Sequence, residues 1–294
     1  MFGRINLLKC FFFLSFAFTN DDKAPMKAIS DILNSYEPIT LEEMSGIKLM
    51  NRTDTKFVTN TAMLTRLLQL AREAYRVQEI NGLRIAEYYT TYFDTPDCQM
   101  FRIHHNGHTN RQKLRIRSYV DSNLNFLEVK TKNNHGRTKK KRMTMEGFNP
   151  REPRHDILFL EQDEQFRRYG EFLREHLRYD AATLEQQVEN RFSRITLVNK
   201  AKTERLTIDL NLRFNHIKTR QTKDLTGIVI IELKRDGLQF SPILGMLKQL
   251  RIHPHGFSKY CIGSALTNPQ LRQNRFKKRL RDINKILKEG QDRP

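Results

Sequence analysis

Lys and Arg recur at every second position in several short segments of this chain. In "RQKLRIRSYVDSNLNFLEVKTK", Lys113, Arg115 and Arg117 alternate with Leu114, Ile116 and Ser118. After Asp121-Ser122-Asn123, Glu128, Lys130 and Lys132 alternate with Leu127, Val129 and Thr131. "NRTDTKFV" puts Arg52, Asp54 and Lys56 on one parity, and Arg194 follows Phe192 by two. "ERLTIDL" sets Arg205, Thr207 and Asp209 against Leu206, Ile208 and Leu210, and "IVIIELK" aligns Ile228, Ile230, Glu232 and Lys234. In "RTKKKRMTME" either Lys140 and Arg142 or Lys139 and Lys141 could face the same way as the other cations, so the register stays open. Successive side chains of a strand point to opposite faces, so each segment has a charged face and an apolar face. Like charges on facing strands repel. One such strand reads as a solvated sheet face; six or seven in one chain, with acids appearing singly, read as faces turned on a shared anion. Charge-assisted hydrogen bonds from Arg and Lys to phosphate oxygens are strong, so a polyphosphate ligand is the expected chemistry. The lone acids suggest a divalent cation held between carboxylate and phosphate.

Other chemistries find little support. There is no Gly-rich phosphate loop; Gly107 and Gly136 sit in simple turns. His104, His105 and His108 lack a partnered Cys or an HExxH spacing and read as surface histidines. His253 and His255 read as loop residues beside "FSKY", and Ser258 lies in no nucleophile motif.

These side chains need strands to hold them, and the composition allows for that. A chain of 294 residues, 38% hydrophobic with 19 Phe and 9 Tyr, fills a sizeable core. The formal charge of +19 implies a polyanionic partner. Cys10, Cys98 and Cys261 form neither a disulfide framework nor a zinc pattern, which fits a reducing compartment. Beyond the charged strands, "LRIAEYYTTYFDT" reads as a strand ending near Asp94. Helices are expected at 30–50 with a break at Pro38, at 60–74 behind an Asn60 cap, and at 97–105, 157–179 and 241–250. A final helical region starts at 258 and ends in an amphipathic basic helix. Strands joined by hairpins or helical insertions, with no repeat, predict one α+β domain on an antiparallel sheet able to close into a barrel. Leu114, Ile116, Val129, Ile208, Val229 and Ile231 should then pack outward under helices.

The N-terminal "MFGRINLLKCFFFLSFAFTN" resembles a weak signal peptide, interrupted by Lys9 and too short to span a bilayer. The plainer reading is a misassigned start with Met26 as the true one. The cytoplasm is the expected location, with membrane association through the C-terminal helix. Export is the alternative if residues 1–25 act as a signal peptide.

"TDTKFV", "YFDT", "KLRIRSY", "EVKTK", "ERLTIDL", "IIELK" and "GFSKY", in this order and at these separations, resemble the VTC (vacuolar transporter chaperone) domain. This is the polyphosphate polymerase family of the triphosphate tunnel metalloenzyme superfamily. The resemblance covers about 29–269. It implies an antiparallel β-barrel of the triphosphate-tunnel type with flanking helices, binding a nucleoside triphosphate and a divalent metal, Mn2+ or Mg2+. By the same resemblance Lys56, Arg115, Arg117, Lys130, Arg194, Arg205 and Lys259 act on the reacting phosphates. Lys140, Lys234 and Arg142 bind phosphate, and Glu232 binds the metal. Two positions depart from the pattern. Arg52, Asp54 and Lys56 stand where triphosphate hydrolases often carry ExExK, and Gly256 stands where some polymerases carry a lysine. The domain layout that follows is a leader or extension at 1–25, a VTC-like tunnel domain at 26–270 and a basic amphipathic helix at 271–294.

The function this resemblance implies is transfer of the γ-phosphate of ATP onto a growing polyphosphate chain. The alternatives are a triphosphatase or nucleotidyl cyclase of the same fold, and a non-catalytic sensor of polyphosphate, inositol phosphates or nucleotides. Nucleic acid is a poor fit, because the basic residues alternate within strands and lack an exposed patch interleaved with aromatics. Only the C-terminal helix offers an exposed basic surface, suited to an anionic membrane or a membrane protein.

Overall fold

The alternation of charge and hydrocarbon becomes one curved antiparallel sheet in a computed structural model that describes residues 20–45, 47, 52–147, 164–237 and 239–291. In chain order its elements are α1 (Asn20–Asn34), β1 (Pro38–Ile39), α2 (Leu41–Ser45), β2 (Arg52–Asn60), α3 (Thr61–Ala71), β3 (Tyr75–Gln78), β4 (Ala86–Asp94) and α4 (Gln99–His105). Then come β5 (Arg111–Tyr119), β6 (Leu124–Lys132), β7 (Thr138–Met145), α5 (Glu164–His176), β8 (Glu185–Asn199), β9 (Glu204–His216) and β10 (Thr222–Leu225). The chain ends in β11 (Ile228–Asp236), α6 (Pro242–Gln249), α7 (Lys259–Thr267) and α8 (Lys277–Gln291). The main ladder runs β2-β11-β9-β8-β4-β5-β6-β7; β10 pairs with β9, β3 with β8, and β1 lies parallel to β3.

The outer face is hydrocarbon. Phe57, Ile195, Leu197, Leu206, Ile208, Val229, Ile231 and Leu233 pack against Ile29 and Leu33 of α1, Leu64 and Leu67 of α3, and Ile243 and Leu247 of α6. Leu114, Ile116, Leu127 and Val129 are buried in a second cluster that includes Tyr169 and Leu173 of α5. Burying such a face stabilises by about 25 cal/mol per Å². All six residues expected to pack outward do so.

The concave face is divided along its length. At one end Val58, Ile228, Ile230, Leu212 and Phe214 join Tyr260, Ile262 and Ala265 of α7 and Ile283 of α8. Asn211, at φ 55°, and a register shift opposite it on β8 turn the end of β9 over, so Leu210 joins the helix-side cluster while Leu212 joins this one. Gly263 of α7 lies so close to Phe214 that a Cβ there would sit 2.4 Å from the ring. The other end of the concave face carries the charges.

The antiparallel sheet and flanking helices are as expected, but hydrogen bonds do not close the ladder: among the described residues β2 and β7 are its two ends. The free edge of β2 is occupied. Pro254 bridges Phe57, and the His255 N–H donates to the Lys56 carbonyl at 2.7 Å. β7 keeps lysines on both faces and is exposed along most of its length, a charged edge that resists further pairing.

Local signals worked where a side chain sets a boundary: the Asn60 side chain accepts from the Met63 N–H and starts α3 as expected. α1 begins ten residues ahead of the reading, and 157–163 of the helix expected at 157–179 lie outside the described residues. The short strands β1, β3 and β10 were not anticipated. No described helix is long and apolar enough to cross a membrane.

Candidate polyanion-binding site

The sheet brings the expected cations together on its concave side. Strand register sets Glu232 of β11 between Lys56 of β2 and Thr207 of β9, and Lys234 beside Arg205. Arg194 of β8 lies opposite Asp209 of β9. On the other flank Arg115 lies opposite Glu128, and Lys113 opposite Lys130. The open register of β7 is resolved. Lys140 donates to Glu128 at 3.1 Å, and the Arg142 guanidinium lies 4.7 Å from the Phe126 ring centroid, so Lys139 and Lys141 take the other face.

Three carboxylates organise these cations. Glu128, fully buried, accepts from Arg115 at 2.7 Å and from Lys140, with Arg117 Nε at 3.9 Å. Asp209 accepts from Arg194 Nε at 2.5 Å and Nη2 at 2.9 Å, and also from the Lys259 ammonium. Glu232 pairs with Lys234 at 2.6 Å and with Lys56 at 3.8 Å. An aromatic bed lies beneath part of the cluster: Tyr88 stacks on Phe192 at 5.1 Å, Arg194 lies 4.8 Å from the Tyr88 centroid and Lys259 lies 4.2 Å from that of Phe192.

The segment before α7 ties the flanks together. Lys113 donates to Ser258 Oγ at 2.8 Å, and the same oxygen caps α7 by accepting from the Cys261 N–H. Lys56 donates to the Phe257 carbonyl at 3.3 Å. Lys259, in the first turn of α7, adds its ammonium to a helix end that already carries positive potential.

Burial, and like charge after it, lowers the proton affinity of the lysines. Enclosure by the lumen walls, with Lys56 and Arg115 nearby, lowers Lys130, although its side chain stays open to solvent. Burial lowers Lys259 to about 7 despite Asp209, and Lys113 to about 8. The carboxylates move the other way. Burial opposes ionisation of Glu128, but Arg115, Arg117 and Lys140 outweigh it and hold the group at about 2. Arg194 and Lys259 hold Asp209 down against its burial, as Lys56 and Lys234 do for Glu232.

Several donors in this lumen remain unspent. Arg117 Nε and Thr207 Oγ1 are buried without a hydrogen-bond partner among the described residues. Phosphate oxygens would satisfy all of them. For a metal the donor set is narrower: no three of His, Cys, Asp and Glu converge among the described residues. Glu232 alone fits an ion that takes one or two carboxylates and completes its shell with phosphate oxygens and water, as Mg2+ does.

Every residue expected in the site lies on strands or a helix that border this concavity. Sequence reasoning passed over Lys113, Glu128 and Asp209 as site members. Their parity put them on the cationic faces, but only the assembled sheet shows which cations each carboxylate holds. His104 and His105 differ from expectation, while His108 is exposed as expected. His105 is buried, stacking on Phe101 and packing against Phe276, and His104 Nδ1 lies 3.0 Å from Cys261 Sγ.

A family model described as "VTC domain" matches residues 51–268. No curated protein sequence matches the chain. Among solved structures, a candidate adenylyl cyclase from Hippeastrum with a dominant triphosphatase activity aligns at 17% identity and TM-score 0.44, covering 74% of this chain and 96% of that one. A candidate adenylate cyclase from Vibrio parahaemolyticus aligns at 10% identity and TM-score 0.41, covering 73% and 99%. The PH1012 protein of Pyrococcus horikoshii aligns at 12% identity and TM-score 0.36, covering 70% and 96%. Likenesses of this size carry no functional weight.

Proposed function

The chain belongs to the VTC domain family, and from that premise we propose that it is an ATP-dependent polyphosphate polymerase. The observation that carries the reading is the convergence of Lys and Arg from seven strands and α7 on one concavity with donors still unspent.

Phosphoryl transfer needs positioning and charge neutralisation more than covalent help from the protein. Arg115, Arg117, Lys130 and Lys140 form one wall for the phosphates, and Lys56, Arg194, Arg205, Lys234 and Lys259 the other. Arg142 lies further along β7. Attack by a terminal phosphate oxygen of the acceptor chain forms a new P–O bond at Pγ and breaks the bond from Pγ to the β–γ bridging oxygen, which leaves with ADP. No side-chain nucleophile is required. Negative charge spreads over the γ-phosphoryl oxygens as that happens, and fixed guanidinium and ammonium groups meet it without reorganising. Glu128 and Asp209 keep those groups aimed and ionised. A divalent cation, Mn2+ or Mg2+, held by Glu232 together with phosphate oxygens would supply further charge neutralisation.

Incubating the purified chain with ATP and Mn2+ or Mg2+ and resolving the products on a polyphosphate-stained gel tests the proposal. A ladder of polyphosphate with stoichiometric ADP is expected. Orthophosphate and ADP without a ladder would make the protein a triphosphatase. Tight binding of ATP or tripolyphosphate with no turnover would make it a sensor.

A further inference from the structure

The concave rows of β5 and β6 stop being charged at the same level. Along β5 the concave side carries Lys113, Arg115, Arg117 and then Tyr119; along β6 it carries Lys132, Lys130, Glu128 and then Phe126 and Leu124. Strand register sets Phe126 opposite Arg117 and Leu124 opposite Tyr119, so the change falls together on both strands, at the rim beside the β5–β6 turn. On β7 the partner of Phe126 is Thr144, two residues past Arg142. This rim reaches solvent. Leu124 is 48% exposed, Tyr119 and Phe126 are half-buried, and Arg142 and Thr144 are exposed.

The rim is continuous with the aromatic bed under the cations. Phe192 stacks on Tyr88, the Tyr88 and Tyr119 centroids lie 4.8 Å apart, and Tyr119 meets Phe126 edge-on at 5.7 Å. The inner two rings have a structural role: Tyr88 and Phe192 are buried and carry the Arg194 guanidinium. Phe126 has no such role. It packs against no buried hydrophobic cluster among the described residues; its ring lies against Tyr119 and under the Arg142 guanidinium, 4.7 Å from the centroid. A polyphosphate chain gains nothing from this surface, since it presents only charged oxygens. A nucleobase gains a good deal: bases stack on aromatic rings and on guanidinium planes, and Tyr119, Phe126 and Arg142 supply both.

We infer that the rim formed by Tyr119, Phe126 and Arg142 seats the base of the donor nucleoside triphosphate. The inference rests on the proposed polymerase reading, because it needs a nucleotide whose phosphates occupy the cation rows. With the base at this rim, the phosphates run inward past Arg117 towards Arg115, and the γ-phosphoryl group lies deepest. In-line attack then brings the acceptor chain from the far end of the rows, where Lys130 is open to solvent. Stacking reads the face of a base, so purine nucleotides are favoured over pyrimidine ones.

The test separates the base from the charge on the full chain. ATP, ribose 5-triphosphate (the same phosphates without a base) and tripolyphosphate are titrated without divalent cation, so that nothing turns over. In the wild type ATP is expected to bind about tenfold more tightly than ribose 5-triphosphate, the size of one stacking contact. That advantage should vanish in Tyr119→Leu/Phe126→Leu, with tripolyphosphate affinity unchanged; circular dichroism and Tm check the fold. A direct report comes from Phe126→Trp, since the chain has no tryptophan of its own. ATP should quench that fluorescence and tripolyphosphate should not, which decides the matter even if the leucine pair melts early. Equal wild-type affinities for ATP and ribose 5-triphosphate, an ATP advantage that survives in the folded leucine pair, or no quenching of the tryptophan overturns the base seat and leaves the lumen reading in place. So does a short single-stranded oligonucleotide that outcompetes ATP through the same two rings, which would make the rim a nucleic-acid platform. Failure of the wild type to bind tripolyphosphate overturns the polymerase reading, and the base seat with it.

Discussion

Glu128 is a fully buried carboxylate in a concavity otherwise suited to anions, and its partners explain its presence: Arg115, Arg117 and Lys140 would face one another with nothing between them. Glu232 holds Lys56 and Lys234 in the same way and is also the proposed metal ligand. Glu232→Gln is expected to abolish turnover while retaining much of the ATP binding, as activity assays beside calorimetry would show; wild-type activity in that variant removes the metal assignment. Arg117, whose Nε has no hydrogen-bond partner, has an unspent donor to give to phosphate. Arg115→Ala or Arg117→Ala should therefore erase most of the thermal stabilisation by tripolyphosphate, while removing the charges of Lys277, Lys278, Arg279 and Arg281 from α8 should leave it intact. The lysines carry a pH signature. Lys259, near 7, and Lys113, near 8, titrate low in the folded protein against 10.5 when exposed. Between those values the unfolded chain binds more protons than the folded one, so these groups make apo stability rise with pH through that window. A bound polyphosphate raises their affinity for protons, so binding takes up protons and weakens as pH climbs above about 7. Calorimetry at pH 8 in two buffers of different ionisation enthalpy should show that uptake; zero uptake would mean that these lysines do not face the ligand.

α7 decides where the lumen ends. Its residues Tyr260, Ile262 and Ala265 fill the apolar half of the concave face, which fixes Ser258 and Lys259 at the border with the charged half. The fit depends on Gly263 against Phe214. Gly263→Ala should cost about 1–3 kcal/mol by overpacking. It should also lower tripolyphosphate affinity, because Lys259 moves with the helix; thermal melts and titrations on the same variant would show both. A drop in Tm without a change in affinity would make α7 a structural plug only. Of these elements the sequence showed the helical region that starts at 258. It did not show that the helix enters the concavity, since nothing local distinguishes a helix packed inside a curved sheet from one packed outside it.

At the scale of the molecule, facing cations make the unliganded lumen electrostatically costly, and a ligand specific for the native state should relieve that cost. Tripolyphosphate at a hundredfold excess over Kd should add about 2.7 kcal/mol, a Tm rise of roughly 5–10 °C for a domain of this size. Raising salt should shrink the rise by screening. An oligonucleotide at matched salt should give a much smaller rise, and a larger one would point to nucleic acid as the true partner.

The amino-acid order alone determined which side chains share a face, because strand alternation is a local property: Leu114 and Ile116 outward, Lys113, Arg115 and Arg117 inward. The seven motifs in their order likewise led to the VTC family from sequence. Tertiary structure alone decided the rest. The register of β7 is ambiguous in a run of four consecutive basic residues, and only the bond from Lys140 to Glu128 breaks the tie. The pairing of Asp209 with Arg194 and Lys259 joins residues up to fifty positions apart. The sheet stays open at β2 because a segment from 254–255 takes its edge. Each of these depends on contacts between distant parts of the chain, which no local pattern encodes.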